Sequence, residues 1–299
     1  MKRSMVFTGA GLAAVLIVTL GASPANAQAP GFGIDASGSS TSSKLFDTAQ
    51  RTMGLPSDDA TELDPGLSVT TTSSSVSTKL GDLSIKVTAQ NARSDTTIVS
   101  SGARVMSLVE KGDSSARFAI DLPANTALVQ SGDGYSIVGS AGEARITLGQ
   151  IHSPWAVDAV GKKLSTSYTL EGNTLIQHVA TDGATYPIVA DPLVTVGWGS
   201  EGPGVYLNIT GANAKVISAA VAIVFCLTVA GGCVAAGKIP RVGSILQGIC
   251  GFIGVPSLKS VVGTIQSIFN SRVVDFYSCY QLLIPGGRQF HKVDASYCQ

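Results

Sequence analysis

The feature that most constrains the fold is a long series of strand signals between residues 66 and 202. Apolar and polar residues alternate there, as in Leu83-Ser84-Ile85-Lys86-Val87, and a period of two is typical of half-buried β-strands. Turn signals recur between the alternating segments: Gly81-Asp82, Gly112-Asp113, Gly132-Asp133-Gly134, Gly142-Glu143, Glu171-Gly172-Asn173 and Asp182-Gly183. No amphipathic helical pattern interrupts this segment. It therefore predicts an antiparallel meander, sandwich or barrel and argues against a doubly wound parallel sheet.

The segment from 203 to 299 has a different character, being apolar and rich in small residues. Residues 216–237 carry no charge and are bracketed by Lys215 and Lys238. As one helix this run would span roughly 33 Å, enough for a bilayer core of about 30 Å. A second uncharged run, 242–258, is broken by Pro256, and residues 260–271 have apolar residues at helical spacing. The segment predicts a mainly helical region.

Two interpretations of this helical region compete. In the first it is a membrane-resident or membrane-active element, and its candidate membrane-contact residues are Lys215, Lys238, Arg241 and Lys259. In the second, Gly231-Gly232 breaks the run into a buried helical hairpin of a soluble domain. Because glycine weakens a continuous helix, the pair favours the hairpin.

All the cysteines lie in this C-terminal part: Cys226, Cys233, Cys250, Cys279 and Cys298. They form no C-x-x-C pair, so zinc and thioredoxin-like sites are not indicated. On a straight helix Cys226 and Cys233 would lie roughly 10 Å apart along the axis, whereas a disulfide needs Cα atoms within about 7 Å. A bridge between these two requires a break at the glycines, and the other three are better placed to pair with each other or with them. An odd number leaves one thiol free or bonded to another molecule.

Charge divides the chain in the same way. Residues 28–202 contain 11 basic and 18 acidic residues, whereas residues 203–299 contain 7 basic and 2 acidic residues. The whole chain carries no net charge, so global charge does not favour a nucleic-acid partner. The basic part is expected to meet either the acidic part or an anionic surface such as lipid headgroups.

The N-terminus has the pattern of a secretory signal peptide. Lys2 and Arg3 precede an apolar run over 6–20, and Ala25-Asn26-Ala27 is a small-x-small cleavage site before Gln28. Sec-type export to the medium or the cell envelope follows from this pattern. The next segment, 28–65, is dominated by Gly, Ser, Thr, Asp and Pro, which favours a flexible leader. One island in it, Leu45-Phe46…Ala49…Met53, has helical spacing and is interpreted as a transient turn.

One block within the β-rich segment carries a resemblance. Pro154-Trp155-Ala156-Val157-Asp158-Ala159 is followed by Tyr168-Thr169-Leu170-Glu171-Gly172-Asn173 and closes with Tyr186-Pro187-Ile188-Val189-Ala190-Asp191-Pro192. The block resembles a stretch of secreted actinobacterial proteins of unassigned function. Its closing Tyr-Pro-x-Val-x-Asp-Pro also resembles the end of β-rich regions in large wall-associated and toxin-carrying surface proteins. The resemblance implies an exported β-domain and no particular activity.

The motifs of common enzyme classes are missing. The run 197–202 fits G-x-G-x-x-G, but Pro203 and a strand-like segment follow it instead of a helix, so we interpret it as a flexible joint. Asp158 and Asp191 are the best acidic pair for acid–base chemistry, although turn aspartates explain both more simply. The histidines, His152, His178 and His291, are not spaced as a metal pair. The sequence predicts no catalytic, cofactor-binding or metal-binding residue.

These patterns predict an α+β multidomain protein with a signal peptide (1–27), a flexible leader (28–65), an antiparallel all-β domain of meander or sandwich type (66–202) and a smaller, mainly helical, cysteine-containing domain (203–299). The leading hypothesis is an exported non-enzymatic protein whose β-domain binds or displays, and whose C-terminal domain docks on a membrane, the cell envelope or a protein partner. One alternative is a secreted membrane-active effector of bacteriocin or toxin type. Another is a secreted hydrolase using Asp158, Asp191 or a histidine. Cofactors and nucleic acid are not expected, and the protein partner and oligomeric state stay open.

Overall fold

The computed structural model describes residues 37–55, 62–64, 66–80 and 83–299. For residues 37–40, 198, 223 and 225–231 it describes the backbone and not the side chains. The predicted signal peptide, the first part of the leader and the Gly81-Asp82 turn lie outside the described residues. Residues 38–299 form one compact unit.

The N-terminal part of this unit is built from antiparallel strands, as the alternation predicts. Their bounds are β1 (Leu67–Thr71), β2 (Ser75–Leu80), β3 (Leu83–Ala89), β4 (Ser94–Val99), β5 (Gly102–Val109), β6 (Ser115–Asp121), β7 (Thr126–Ser131), β8 (Gly134–Ala141), β9 (Ala144–Ile151), β10 (Ala156–Val157), β11 (Lys163–Leu164), β12 (Thr166–Glu171), β13 (Thr174–Val179), β14 (Ile188–Ala190) and β15 (Leu193–Val196). Glycines in the left-handed region close several of the predicted turns, among them Gly112, Gly142 and Gly172.

The C-terminal part consists of helices placed between further strands. They are β16 (Trp198–Gly199), β17 (Gly202–Pro203), β18 (Val205–Thr210), α2 (Gly211–Ala219), α3 (Val221–Ala236), α4 (Gly243–Ser271), β19 (Cys279–Ile284), β20 (His291–Val293) and the 3-10 helix η1 (Ala295–Cys298), and they follow helix α1 (Ser37–Thr52) and the strands above. A mainly antiparallel β-region followed by a helical region with disulfides is the fold class that the sequence predicts.

Within the described residues the larger strands form two curled antiparallel sheets. One has the order β1-β2-β3-β6-β13-β12, and the other runs β11-β10-β14-β5-β15-β9-β18-β19-β20, with β4 on β5 and the β7–β8 hairpin on β9. Alternation fixes which face is buried: Ile85 and Val87 of β3 are buried, whereas Ser84 and Lys86 are exposed. Both sheets contribute their apolar faces to one continuous core.

The larger sheet continues past residue 202, where the sequence suggests a domain boundary. Strand β18 pairs with β9 so that Leu207 lies opposite Ile146, and β19 pairs with β18. The segment 197–202, interpreted above as a flexible joint, contributes to a short hairpin of β16 and β17. The acidic and basic parts of the chain therefore share a sheet and a core.

The uncharged run 216–237 is not one straight helix. It is divided between α2 and α3, and Gly232 inside α3 has a non-helical backbone (φ 60°, ψ −151°). Helix α4 is interrupted in the same way at Gly254, just before Pro256. Helices α3 and α4 pack against each other, and the break at Gly232 next to Cys233 accompanies a disulfide from Cys233 to Cys250. Helices α3 and α4 form a helical hairpin whose connection is residues 237–242, whereas Gly232 interrupts α3 and does not make the turn.

A second disulfide joins Cys279, the first residue of β19, to Cys298 in η1. It fixes the C-terminal turn to the sheet. The side chain of Cys226, the remaining cysteine, lies outside the described residues.

The helical island in the predicted leader is an ordered, packed helix rather than a transient turn. Phe46 and Ala49 of α1 are buried against Met106 and Leu108 of β5 and Val189 of β14. These residues lie on the face of β5 opposite the main core, since Ala103, Val105 and Val109 of the same strand belong to that core. The helix forms because it covers an apolar sheet face, which local composition does not reveal.

Candidate functional site

The two most exposed large apolar side chains in the described C-terminal part lie on the segment 272–278, which we call the 272–278 loop. It connects α4 to β19. Val273 and Tyr277 are 102% and 96% exposed and Phe276 is 48% exposed. Single exposed apolar residues are ordinary on protein surfaces, but several on one short loop indicate an interaction surface.

The backbone of this loop is held in place from two sides. The first two residues of α2 reach it, because the amides of Gly211 and Ala212 donate to the carbonyl oxygens of Ser278 and Phe276, each at 3.0 Å. The start of α2 and the loop approach so closely that a Cβ atom at Gly211 would overlap the backbone of Asp275. The side chains are therefore presented by an anchored loop.

Asp275 braces the loop from within. Its carboxylate accepts hydrogen bonds from the Ser278 hydroxyl at 2.6 Å and the Tyr277 amide at 3.1 Å, and its amide donates to the hydroxyl of Tyr280 at 3.0 Å. The Ser278 and Tyr277 hydrogen bonds lower the pKa of Asp275 against a smaller opposing effect of burial. The Asp275 carboxylate consequently stays charged well below neutral pH, and its hydrogen bonds to Ser278 and Tyr277 weaken only in acid.

Cationic groups surround the exposed apolar side chains. Arg272 begins the loop and is exposed. Lys292 places its Nζ 3.7 Å from Asp275 Oδ2. Lys215 lies one turn into α2, with its Nζ 5.3 Å from the centroid of the Phe269 ring. With Asp275 as the acidic residue of the loop, the surface has a positive balance.

An aromatic cluster supports the loop and Lys215. The rings of Phe269 and Phe290 meet edge to face with centroids 6.3 Å apart, and Phe290 stacks on Tyr280 at 5.4 Å. Tyr280 in turn accepts the hydrogen bond from Asp275. The base of the surface is therefore a packed part of the protein.

The cations proposed from the sequence do not form one group. Of the four, Lys215 lies beside the 272–278 loop. Lys238 and Arg241 lie in the connection between α3 and α4, at the opposite end of α4 from the loop, and Lys259 lies within the second half of α4 and is half-buried.

Helix α4 is the one helix in the described part of the chain that is long and apolar enough to cross a membrane by length and composition, with a hydropathy of 1.5. Its apolar side chains contribute to the protein core, where Ile245, Leu246, Ile249, Leu258, Val261, Val262, Ile265 and Ile268 are buried. The core helix of a soluble protein meets the same length and composition criteria, so this helix by itself does not establish a membrane span.

Comparisons with known proteins give no further guide to this surface. No protein-family model, curated protein or solved structure matches the chain.

The two aspartates considered for acid–base chemistry occupy separate places. Strands β10 and β14 pair with Ala156 opposite Ala190 and Val157 opposite Val189, so Asp191 falls opposite Trp155 and Asp158 falls opposite Ile188. Three residue steps along the ladder separate them by about 10 Å. That distance is beyond hydrogen-bonding reach and gives no support to a shared catalytic role.

Asp191 is the acidic half of a buried ion pair. Its Oδ2 accepts from Arg104 Nε at 2.9 Å, and the two side chains are 1% and 3% exposed. The amide of Trp155 donates to its Oδ1 at 3.3 Å, and the Arg104 guanidinium lies 5.8 Å from the Trp155 ring centroid. Burial raises the pKa of Asp191 to about 7, against the opposing effect of Arg104. The Trp155 side chain also lowers this pKa, although its indole nitrogen has no well-formed hydrogen bond.

Asp158 has the role of a turn aspartate. It accepts from the amides of Val160 and Lys162 through Oδ1 and from the amide of Thr185 through Oδ2. Burial acts to raise its pKa, but the three amides outweigh that effect and the pKa is lowered. The role of Asp158 is structural, because its carboxylate ties the turn that contains Val160 and Lys162 to the segment at Thr185.

The three histidines also lie apart. His152 pairs with Thr195 and His178 with Thr169, at 2.9 and 2.8 Å, while His291 Nε2 lies 3.4 Å from a carboxylate oxygen of Glu201. Burial, helped by Arg104, lowers the pKa of His152. Among the residues that the structure describes, no three His, Cys, Asp or Glu side chains converge as metal ligands.

Sequence reasoning identified Lys215 but missed the loop itself. The segment containing Val273, Phe276 and Tyr277 gives no local sign of exposure, because its apolar residues suit a core as well as a surface. The available signal was the short apolar and aromatic run between Arg272 and the sheet, within the basic part of the chain.

Proposed function

We propose that this chain is an exported, non-enzymatic protein that docks on anionic membrane surfaces through the 272–278 loop and carries its acidic β-region as a binding or display module. The observation that carries the proposal is the anchored loop that exposes Val273, Phe276 and Tyr277 among Lys215, Arg272 and Lys292. The signal-peptide pattern and the resemblance of the Pro154–Pro192 block to secreted and wall-associated proteins support export.

The chemistry of the loop suits the boundary between lipid headgroups and acyl chains. Apolar side chains gain free energy by leaving water, and tyrosine places an apolar ring against lipid while its hydroxyl stays hydrated. Lysine and arginine near the surface contribute about 1 kcal/mol each on an anionic membrane. Both kinds of residue occur together on this loop and its neighbours.

Docking requires no unfolding of the helices. Ile245, Leu246, Ile249 and five further apolar side chains of α4 are buried in the core, and the disulfide from Cys233 to Cys250 links α4 to α3. This favours peripheral attachment by the loop over a membrane-active effector, which would have to bring those helices out of the core.

Vesicle binding by the purified full chain tests the proposal. We expect the protein to cosediment with vesicles of phosphatidylcholine containing about a third phosphatidylglycerol, more weakly with phosphatidylcholine alone, and more weakly again as salt is raised. Replacing Val273 and Tyr277 by serine should reduce binding roughly 30-fold, because two partly inserted apolar side chains contribute about 2 kcal/mol. Val160→Ser is the matched control, since Val160 is 73% exposed but lies in the β-region.

A second pair of variants separates charge from apolar contact. Lys215→Gln with Arg272→Gln should weaken the preference for anionic vesicles and lower binding to them about 30-fold, whereas Lys86→Gln, an exposed lysine of β3, should not. Equal binding to neutral and anionic vesicles, or wild-type binding by the Val273/Tyr277 variant, would contradict the proposal. Release of a trapped dye from the vesicles would instead favour the effector alternative.

A further inference from the structure

A second unusual feature lies on the larger sheet, on the face of β9, β18 and β19 that is turned away from the main core. In β9, β18 and β19 the residues that point away from the main core are buried yet polar: Thr147, Asn208 and Gln281 are 3%, 1% and 2% exposed. Their strand neighbours, including Ile146, Leu207 and Leu282, belong to the main core. An aliphatic layer would be the simpler way to fill buried positions, so three adjacent polar side chains call for another explanation.

These side chains form one hydrogen-bonded row with fixed orientations. Gln281 Nε2 donates to Asn208 Oδ1 at 3.1 Å, and Asn208 Nδ2 donates to Thr147 Oγ1 at 2.9 Å. The amide and hydroxyl of Ser200 donate to Gln281 Oε1 at 2.9 and 3.1 Å, which fixes the start of the row. Each amide group has more hydrogen-bonding sites than the row uses, and the Thr147 hydroxyl can donate as well as accept.

The row ends in the floor of a cavity of about 400 Å³, to which Thr147 and Asn208 both contribute. This volume lies within the range of small-ligand sites, about 300 to 1,000 Å³. The β7–β8 hairpin forms one wall and the C-terminal turn around η1 forms the other. The disulfide from Cys279 to Cys298 attaches that second wall to the sheet.

The floor is polar, and the wall formed by the hairpin is mixed, since Gln130, Ser131, Ser136 and Ser140 line it beside apolar residues. Ala127, Val129 and Val138 supply the apolar strip, and the lining contains no Asp or Glu. Arg145 is held at the edge by its hydrogen bonds to Ser140 Oγ at 2.9 Å and to the Gln299 carbonyl oxygen at 3.3 Å. Tyr297, which is 43% exposed, gives the cavity an aromatic ring on the side of the turn.

We infer that this cavity binds an N-acetylated mono- or disaccharide. Sugar hydroxyls match the oriented amide and hydroxyl groups of Asn208 and Thr147, and the acetyl methyl group matches the apolar strip. The ring of Tyr297 provides an apolar surface for a sugar face. Arg145 provides a donor for an acetamide or hydroxyl oxygen. This inference rests on the cavity and is independent of membrane docking.

Isothermal titration calorimetry of the full chain with N,N′-diacetylchitobiose tests it, with maltose as the disaccharide that lacks acetyl groups. We expect a Kd of about 1 mM or below for the acetylated sugar and binding at least about tenfold weaker for maltose, since the apolar strip then has no partner. No heat of binding for the acetylated sugar at about 10 mM would overturn the inference.

Two variants locate the site. Ala127→Trp fills the cavity from an exposed strand position and should abolish binding, whereas Lys86→Trp, on an exposed position of β3, should leave it unchanged. Thr147→Val keeps the shape of the floor and should weaken binding about tenfold or more, with folding checked by the urea midpoint. Unchanged sugar binding by Ala127→Trp would overturn the assignment. Vesicle binding by Ala127→Trp should match the wild type, so failure of one proposal is distinguishable from failure of the other.

Discussion

The buried pair of Arg104 and Asp191 predicts an unusual dependence of stability on pH. Burial raises the pKa of Asp191 from 3.8 to about 7 in the folded protein, so the folded state holds the proton more tightly than the unfolded state does. The stabilisation from this carboxyl is fully present below about pH 4. It is lost as the pH rises towards 7, which is the reverse of an ordinary paired aspartate.

The size of the effect follows from the two pKa values. Between pH 5 and pH 7 the free energy of unfolding should fall by about 1 kcal/mol for each pH unit through this group alone. The loss amounts to about 2 kcal/mol from pH 5 to pH 7, because the slope flattens close to the folded-state pKa. Both side chains are almost completely buried, so solvent screening does not reduce it.

Urea denaturation of the wild type and of Asp191→Asn at pH 5, 6, 7 and 8 measures the effect. The variant keeps the shape of the side chain but cannot titrate, so the wild-type advantage should shrink by about 2 kcal/mol between pH 5 and pH 7. Comparing the two proteins removes the contribution of His152, whose lowered pKa acts in the opposite direction. Asp133→Asn, in an exposed turn, is the matched control. A wild-type advantage that stays constant across this range would show that Asp191 remains ionised, and would refute the reasoning.

Two further predictions concern stability. Replacing both Cys279 and Cys298 by serine should lower the free energy of unfolding by about 3 kcal/mol, since their bridge closes a loop between residues 19 apart; urea denaturation should show it, and an unchanged midpoint would contradict the pairing. Phe46→Ala should destabilise the protein by about 3 to 5 kcal/mol, because this side chain of α1 is 2% exposed and packs on the sheet. If Phe46→Ala is no more destabilising than the exposed control Lys44→Ala, then α1 is not packed on the sheet.

The strands were predictable because their signal is local. In β3 and β6 the residues at every second position face the core, and glycines with positive φ mark turns between strands. The interruption of α3 was predictable for the same kind of reason, since glycine weakens a helix and Gly232 has a non-helical backbone. The hairpin itself turns later, at residues 237–242.

What the sequence could not provide is pairing between distant segments. Nothing near Val205 indicates that β18 joins β9, which lies about sixty residues earlier, and nothing near Phe46 indicates which apolar face it will cover. The turn interpretation of Asp191 missed its buried partner, because Arg104 is 87 residues away in the chain. The 272–278 loop was missed for a related reason: exposure of Val273 and Tyr277 depends on where α4 ends and where β19 is anchored.

The seam between β9 and β18 means that neither part of the chain can be produced usefully alone. Cutting after residue 202 would remove the partner of β9 at residues 145–147 and leave unpaired amides and carbonyls there, which invites edge-to-edge aggregation. The matching fragment would carry β18 with the same defect. The larger sheet can therefore be completed only after β18 and β19 are available, near the end of the polypeptide.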